Sequence, residues 1–168
     1  MQRRGFTLLE IIVVVAIIGI LVLLLFPNFS TIQARAEGVV CNARLRNLWN
    51  TFSAQLNDGN SWPQVPTNIT IGSMEEQQWW LTTTSNSMGL TSKDWNCPTI
   101  QRKIVNIPSG PTNLITYLPT LFDARPMTPM SWGKMPWFTE IISVHGNGNL
   151  TVYADGSVSP IRKFIVAP

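Results

Sequence analysis

Residues 3–26 read RRGFTLLEIIVVVAIIGILVLLLF, an apolar run that follows two arginines and a glycine and contains a single acid, Glu10. No strong helix breaker interrupts the run before Pro27, and the segment from Phe6 to Phe26 would span roughly 31 Å as a helix. That length is close to one hydrocarbon thickness of a bilayer. The stretch therefore predicts a membrane-spanning helix.

The charges around this segment predict its orientation. Arg3 and Arg4 precede the apolar run, and the next basic residue is Arg35. Since positively charged flanks stay on the cytoplasmic side, the first residues are expected in the cytoplasm and the remainder outside it. The pattern predicts a single-pass anchor with an extracytoplasmic domain.

Glu10 is the residue that an ordinary anchor does not explain. A carboxylate at a membrane helix is costly unless a cation pairs with it. If the chain were cut after Gly5, the new amine of Phe6 would lie one helical turn before Glu10. That amine could then pair with the carboxylate on the same or a neighbouring helix.

The segment from Gly5 to Glu10, together with the apolar residues that follow, closely resembles the class III signal of type IV pilins and type II secretion pseudopilins. The resemblance implies cleavage after Gly5 by a prepilin peptidase, which makes residues 1–5 a leader peptide. It also implies N-methylation of Phe6 and a role for Glu10 in filament assembly. A secretory signal fits poorly because it would end in a small-residue cleavage site.

Gly19 and Pro27 are expected to weaken the membrane helix, because one lacks a side chain and the other removes a backbone donor. An ordinary kinked membrane helix accounts for both residues, and the resemblance implies partial unwinding on filament assembly. The expected organisation is a transmembrane and assembly half over 6–27 and a periplasmic globular domain over 28–168.

Composition argues against nucleic-acid binding. The formal charge is +3, and loss of Arg3 and Arg4 with the leader reduces the 12 basic residues to 10, against 9 acids. The basic residues are too few and too scattered to follow a phosphate backbone.

Cys41 and Cys97 would lie on the oxidising side of the membrane in this topology. A disulfide is expected, and closing so long a loop would stabilise the domain by about 4 kcal/mol in the chain-entropy model. Two buried free thiols are the alternative.

An amphipathic helix is predicted to continue after Pro27 to about Leu56. Its apolar stripe recurs at helical spacing and comprises Cys41, Leu45, Leu48, Trp49, Phe52 and Leu56. The segment from Cys41 to Leu48, and Trp62-Pro63 after it, resemble the corresponding segment of one bacterial pilin-like group.

The middle of the chain, 57–137, carries weaker signals. Ser73 and Glu76 form a capping box that predicts a short helix. Strand-like pieces are expected at 95–98 and 115–118. The abundant tryptophans could form a glycan-binding platform, but filling a small core and its subunit contacts is the simpler interpretation.

The end of the chain predicts an antiparallel meander from three β-prone runs, 138–144, 150–154 and 157–164. Asp155-Gly156 between the last two indicates a two-residue hairpin turn. Residues 152–158 resemble the ending of the same pilin-like group, with Ser157 where histidine is usual. The fold class expected is α+β and pilin-like, a long N-terminal helix packed on a small C-terminal antiparallel sheet.

No chemical site stands out. Asn147, Asn149 and Asp155 offer oxygen atoms to calcium, as the resemblance to major pseudopilins allows, but turn formation explains them more simply. His145 has neither a second histidine nor a cysteine near it in sequence, so no zinc site is predicted. No nucleophile–base arrangement is readable, and neither an enzyme nor a cofactor is expected.

The leading hypothesis is a structural subunit of a type IV pilus-like filament, most similar to major pseudopilin G-like proteins of type II secretion systems. In it, the helices bundle at the filament core and Glu10 pairs with Phe6 of a neighbour. Expected partners are other pilins or pseudopilins, the prepilin peptidase and an inner-membrane assembly platform. A surface type IV pilin for adhesion, motility or DNA uptake is the alternative, and a membrane-tethered glycan-binding module is a third hypothesis.

Overall fold

The computed structural model describes residues 7–25, 29–105, 115–145 and 148–161. The chain divides into two compact units, Met1–Ala36 and Glu37–Pro168, each of which is described by itself. The sequence predictions for Gly5, Phe6, Pro27 and Asn147 lie outside the described residues.

The first unit contains helix α1, Leu8–Leu25, and the start of helix α2, Phe29–Asn57. The predicted membrane segment extends past the described residues of α1 at both ends. Across the part of the chain that the structure describes, no helix combines the length and the apolarity needed to cross a membrane. The single long N-terminal helix predicted from the sequence is likewise not confirmed, because residues 26–28 between α1 and α2 are not described.

Within the second unit, α2 presents its predicted apolar stripe to the core. The stripe is buried at five positions, Cys41, Leu45, Leu48, Phe52 and Leu56. Trp49 packs against the edge of this core and donates its Nε1–H to the carbonyl of Ala154 at 2.9 Å. The prediction that this helical face carries the globular part is confirmed.

Two shorter helices follow. Helix α3, Met74–Met88, starts at the predicted capping box, where the Ser73 hydroxyl accepts the amide of Glu76 at 3.1 Å. The strand predicted at 95–98 is not formed: residues 95–97 lie in a turn and the irregular backbone after it, and helix α4, Pro98–Val105, begins at the last position. That prediction was wrong because Pro98 occupies the first helical position, where a missing N–H costs nothing.

The sheet is a four-stranded antiparallel meander in the order β1-β2-β3-β4. Its strands are β1 Tyr117–Pro119, β2 Pro136–Glu140, β3 Asn149–Tyr153 and β4 Val158–Ile161. The predicted meander is confirmed, and β1 adds an edge strand that overlaps the strand-like piece expected at 115–118. A short 3₁₀ helix, Thr128–Met130, lies in the connection from β1 to β2. The fold class is α+β.

The turn between β3 and β4 differs in detail from the prediction. Tyr153 donates to the carbonyl of Ser157 at 3.0 Å, and Gly156 donates to the carbonyl of Tyr153 at 2.9 Å. Gly156 has a φ of 76°, whereas no non-glycine residue in the described chain has a positive φ, so Asp155 does not fit a two-residue turn. The loop therefore has three residues and ends in a left-handed glycine.

An aromatic cluster fills the space between the helices and the sheet. Phe52 of α2 lies at its centre, with ring centroids 4.8 Å from Trp62 and 4.9 Å from Phe138. Four tryptophans are completely buried, namely Trp62, Trp80, Trp95 and Trp137. Core filling, rather than a sugar platform, accounts for these four; Trp132 remains 71% exposed.

Candidate functional site

The first candidate site is the start of α1, where Glu10 lies in the first helical turn. The Glu10 carboxylate accepts the backbone N–H of Thr7 at 2.8 Å and the Thr7 hydroxyl at 3.0 Å. In return, Thr7 Oγ1 accepts the amide of Glu10 at 3.3 Å. These reciprocal contacts form a capping box, which satisfies backbone donors that the helix itself leaves unpaired. The Thr-x-x-Glu spacing of this capping box is visible in the sequence, but the sequence predictions did not include it.

The surface of α1 is apolar and exposed along the described part of the helix. Large aliphatic side chains from Leu8 to Leu23 are between 46% and 78% accessible. Gly19 lies inside this helix, and a Cβ placed on it would meet no atom within 4 Å. So much apolar surface is unfavourable in water and needs a lipid or protein environment.

The second candidate site surrounds the disulfide between Cys41 of α2 and Cys97, the residue before α4. The two Cα atoms are 5.2 Å apart, and 56 positions separate the residues in sequence. Both residues are completely buried. The predicted disulfide is therefore present, and it ties α2 to the start of α4.

Two ionisable side chains lie directly against this disulfide. His145 Nε2 is 3.4 Å from Cys97 Sγ and 3.4 Å from Glu140 Oε1. Glu140 ends β2, and its other carboxylate oxygen accepts the amide of Leu150 at 3.0 Å. The expectation that no cysteine lies near His145 was wrong, since β2 and the loop after it bring residues 48 positions apart into contact.

Burial controls the protonation of this pair. Removal from water raises the pKa of the Glu140 carboxyl to about 7, against which the hydrogen bond from Leu150 acts only partly. Burial also lowers the pKa of His145, partly opposed by the charge of Glu37. Burial therefore favours the neutral form of each group and reduces the charge that is buried at the cluster.

The structure does not bring the candidate calcium ligands together. Asn149 and Asp155 lie at opposite ends of β3, and a strand rises about 3.3 Å per residue, so one ion cannot contact both side chains. The Asn149 amide donates to the carbonyl of Glu140 at 2.7 Å. Asp155 is engaged by Lys134 Nζ at 2.8 Å and by Ser157, and the hydrogen bond from Lys134 is the main reason that its pKa falls to about 2. Asn149 and Asp155 therefore do not share one ion in this structure, and Asn147, the third candidate ligand, lies outside the described residues.

Comparisons with known proteins found similarity over part of the chain. Residues 1–26 match the family described as "Prokaryotic N-terminal methylation motif". The Type IV major pilin protein PilA of Myxococcus xanthus (strain DK1622) is 46% identical over 48 residues. That alignment covers 29% of this chain and only 22% of the relative's length. No solved structure matches the chain.

Proposed function

We propose that this chain is a structural subunit of a pilus-like filament. Its methylation motif and its similarity to a pilin assign it to the type IV pilin and pseudopilin family. The observation that carries the proposal is the methylation motif over residues 1–26. The motif includes helix α1, whose apolar side chains are exposed and whose first turn holds Glu10.

The proposed assembly step uses the amine that processing creates. Cleavage after Gly5 and methylation of Phe6 would leave a positively charged secondary amine at the start of the mature chain. Glu10 supplies an acceptor of opposite charge in the first turn of α1. In a filament the exposed aliphatic side chains of α1 would pack against copies of themselves, and Glu10 would neutralise the amine of a neighbouring Phe6.

The proposed location follows from the same segment. The chain would sit in a bacterial inner membrane with its leader in the cytoplasm and its globular unit in the periplasm, before it enters a filament. Its partners would be the prepilin peptidase, an assembly platform and other pilins. The role proposed is structural rather than enzymatic, and for a pseudopilin no nucleic-acid partner is expected.

Two kinds of filament are candidates. Similarity to a protein named as a type IV major pilin favours a surface pilin. The compact four-stranded meander instead suits a pseudopilin of a type II secretion system, the second candidate. Electron microscopy of cells that express the chain would separate them, because a surface pilin gives extended fibres. Fibres absent from the surface, together with impaired protein export on deletion, would favour the pseudopilin.

The proposed function is tested by the intact mass of the native protein. Loss of residues 1–5 and addition of one methyl group are expected, because the mature chain should begin with methylated Phe6. A mass that retains the Met-Gln-Arg-Arg leader would reject assembly through a processed amine and leave only a tethered domain.

Substitution of Glu10 is expected to abolish assembly without preventing membrane insertion. The informative variant is Glu10→Gln, because glutamine keeps an acceptor for the capping box but carries no charge. Breaking a buried ion pair costs about 3–5 kcal/mol, so filament yield should fall to background in both Glu10→Gln and Glu10→Ala.

The matched control is Thr7→Val, which removes the hydroxyl that caps α1 and retains the carboxylate. We expect Thr7→Val to assemble. Filaments from Glu10→Gln but not from Glu10→Ala would show that Glu10 acts only as a helix cap. Sheared filaments, quantified against total membrane-bound protein, give the measurement.

A further inference from the structure

The cluster at the disulfide contains more ligand chemistry than a disulfide needs. Cys41, Cys97, Glu140 and His145 each place one donor atom in the cluster, and all four atoms lie within 4.8 Å of one another. Cys41, Cys97 and Glu140 are buried, and His145 is 11% exposed. α2, the residue before α4, β2 and the loop after β2 each contribute one of these side chains.

One of the four ligand atoms, a carboxyl oxygen, has no hydrogen-bond partner in the described part of the chain. Glu140 is 1% exposed, yet its Oε1 accepts no hydrogen bond within the described part of the chain. Its nearest polar neighbour in the cluster is His145 Nε2 at 3.4 Å. A buried carboxyl oxygen that accepts no hydrogen bond costs free energy, and the disulfide does not offset that cost. A cation bound among these four groups would offset it.

We propose that, when Cys41 and Cys97 are reduced, these two thiolates, His145 Nε2 and Glu140 Oε1 bind one zinc ion tetrahedrally. Zinc bond lengths to nitrogen, sulfur and oxygen require donor separations of about 3.3–3.7 Å. The distances from His145 Nε2 to Cys97 Sγ and to Glu140 Oε1 are both 3.4 Å. Reduction removes the bond that holds the two sulfur atoms together, so that they can separate. Any of the other ligand pairs that lie near the 4.8 Å limit must draw together by about 1 Å.

The donor set selects the metal. Thiolate and imidazole ligands suit zinc, whereas calcium and magnesium require oxygen atoms in larger numbers. Four protein ligands close the coordination sphere, which is typical of a structural rather than a catalytic zinc site. The same four side chains could thus link α2 to the sheet through a metal before oxidation and α2 to α4 through a disulfide after it.

Loading of the site is coupled to folding. Since both cysteines are completely buried, a reductant does not reach the sulfur atoms while the unit is folded. Reduction of the unfolded chain by a trialkylphosphine and water gives two thiols and one phosphine oxide. Zinc binding then displaces the two thiol protons into solvent.

The test uses the full-length chain in mild detergent, unfolded, reduced by a trialkylphosphine and refolded without oxygen in the presence of zinc chloride. After desalting, one zinc per chain is expected by mass spectrometry of the metal, and none for the oxidised chain treated identically. Cobalt(II) in place of zinc should give the absorption of tetrahedral cobalt with thiolate charge transfer. An equal metal content in the reduced and oxidised chains, or none in the reduced chain, would overturn the proposal.

Variants separate this four-ligand site from zinc held by the two thiolates alone. Glu140→Gln and His145→Ala should each weaken zinc binding by at least about tenfold and change the cobalt spectrum. The exposed Glu75→Gln provides a matched control and should bind zinc as the unmodified chain does. Unchanged affinity in both Glu140→Gln and His145→Ala would likewise reject the proposal.

Discussion

Replacing both Cys41 and Cys97 by alanine is expected to lower the free energy of unfolding of the globular unit by about 4 kcal/mol under oxidising conditions. The disulfide spans 56 positions of sequence, and a loop of that length removes much conformational entropy from the unfolded chain. A loss of this size is a large fraction of the stability of a typical domain.

Denaturant unfolding in detergent, followed by tryptophan fluorescence, measures this loss. All seven tryptophans lie after Glu37, so the signal reports the globular unit alone. The unmodified chain, unfolded with reductant and a metal chelator, is the control and should approach the double variant. Equal denaturation midpoints for the variant and the oxidised chain would show that the disulfide contributes nothing to stability.

The second large effect concerns pH. The pKa of Glu140 is about 7 in the folded state, above the ordinary glutamate value of 4.5, so the folded state binds its proton more tightly than the unfolded state. The resulting stability is complete below pH 4.5 and is lost as the pH rises through 7. A shift of this size corresponds to about 3 kcal/mol. We therefore expect Glu140→Gln to be more stable than the unmodified chain by about this amount at pH 8.

The difference in free energy of unfolding between Glu140→Gln and the unmodified chain, rather than the pH dependence of either protein alone, isolates the contribution of Glu140. His145 acts in the opposite sense, because its lowered pKa makes the folded state lose stability as the pH falls below 6.5. The glutamine oxygen can still accept the amide of Leu150, so packing at β2 is retained. Stability curves from pH 4.5 to 8 should converge at the acidic end. A constant offset, or the same change in the exposed control Glu75→Gln, would contradict the assignment to Glu140.

Local patterns predicted several elements correctly because their causes are local. The apolar stripe on α2 follows from helical spacing, and residues such as Leu45 and Phe52 are buried where it indicated. Ser73 and Glu76 predicted the start of α3 because a capping box satisfies backbone donors within four residues. Alternation in β3 and β4 likewise predicted a hairpin.

Errors arose where two local preferences compete. Aromatic Trp95 and the residues after it favoured a strand, but Pro98 can begin a helix, and α4 starts there. Asp155-Gly156 is compatible with turns of two or three residues. The pairing of Val152 with Val158 selects the longer loop, because it fixes how many residues remain between the strands.

The sequence alone determined the N-terminal signal, the single acid of the apolar segment, Glu10, and the face of α2 that enters the core, since each depends on spacings within a few residues. Only the tertiary structure decided that His145 and Glu140 converge on Cys97 and that Asn149 and Asp155 do not converge on each other. The physical reason is that strand pairing and the burial of aromatic side chains set these distances, and both are properties of chain segments far apart in sequence.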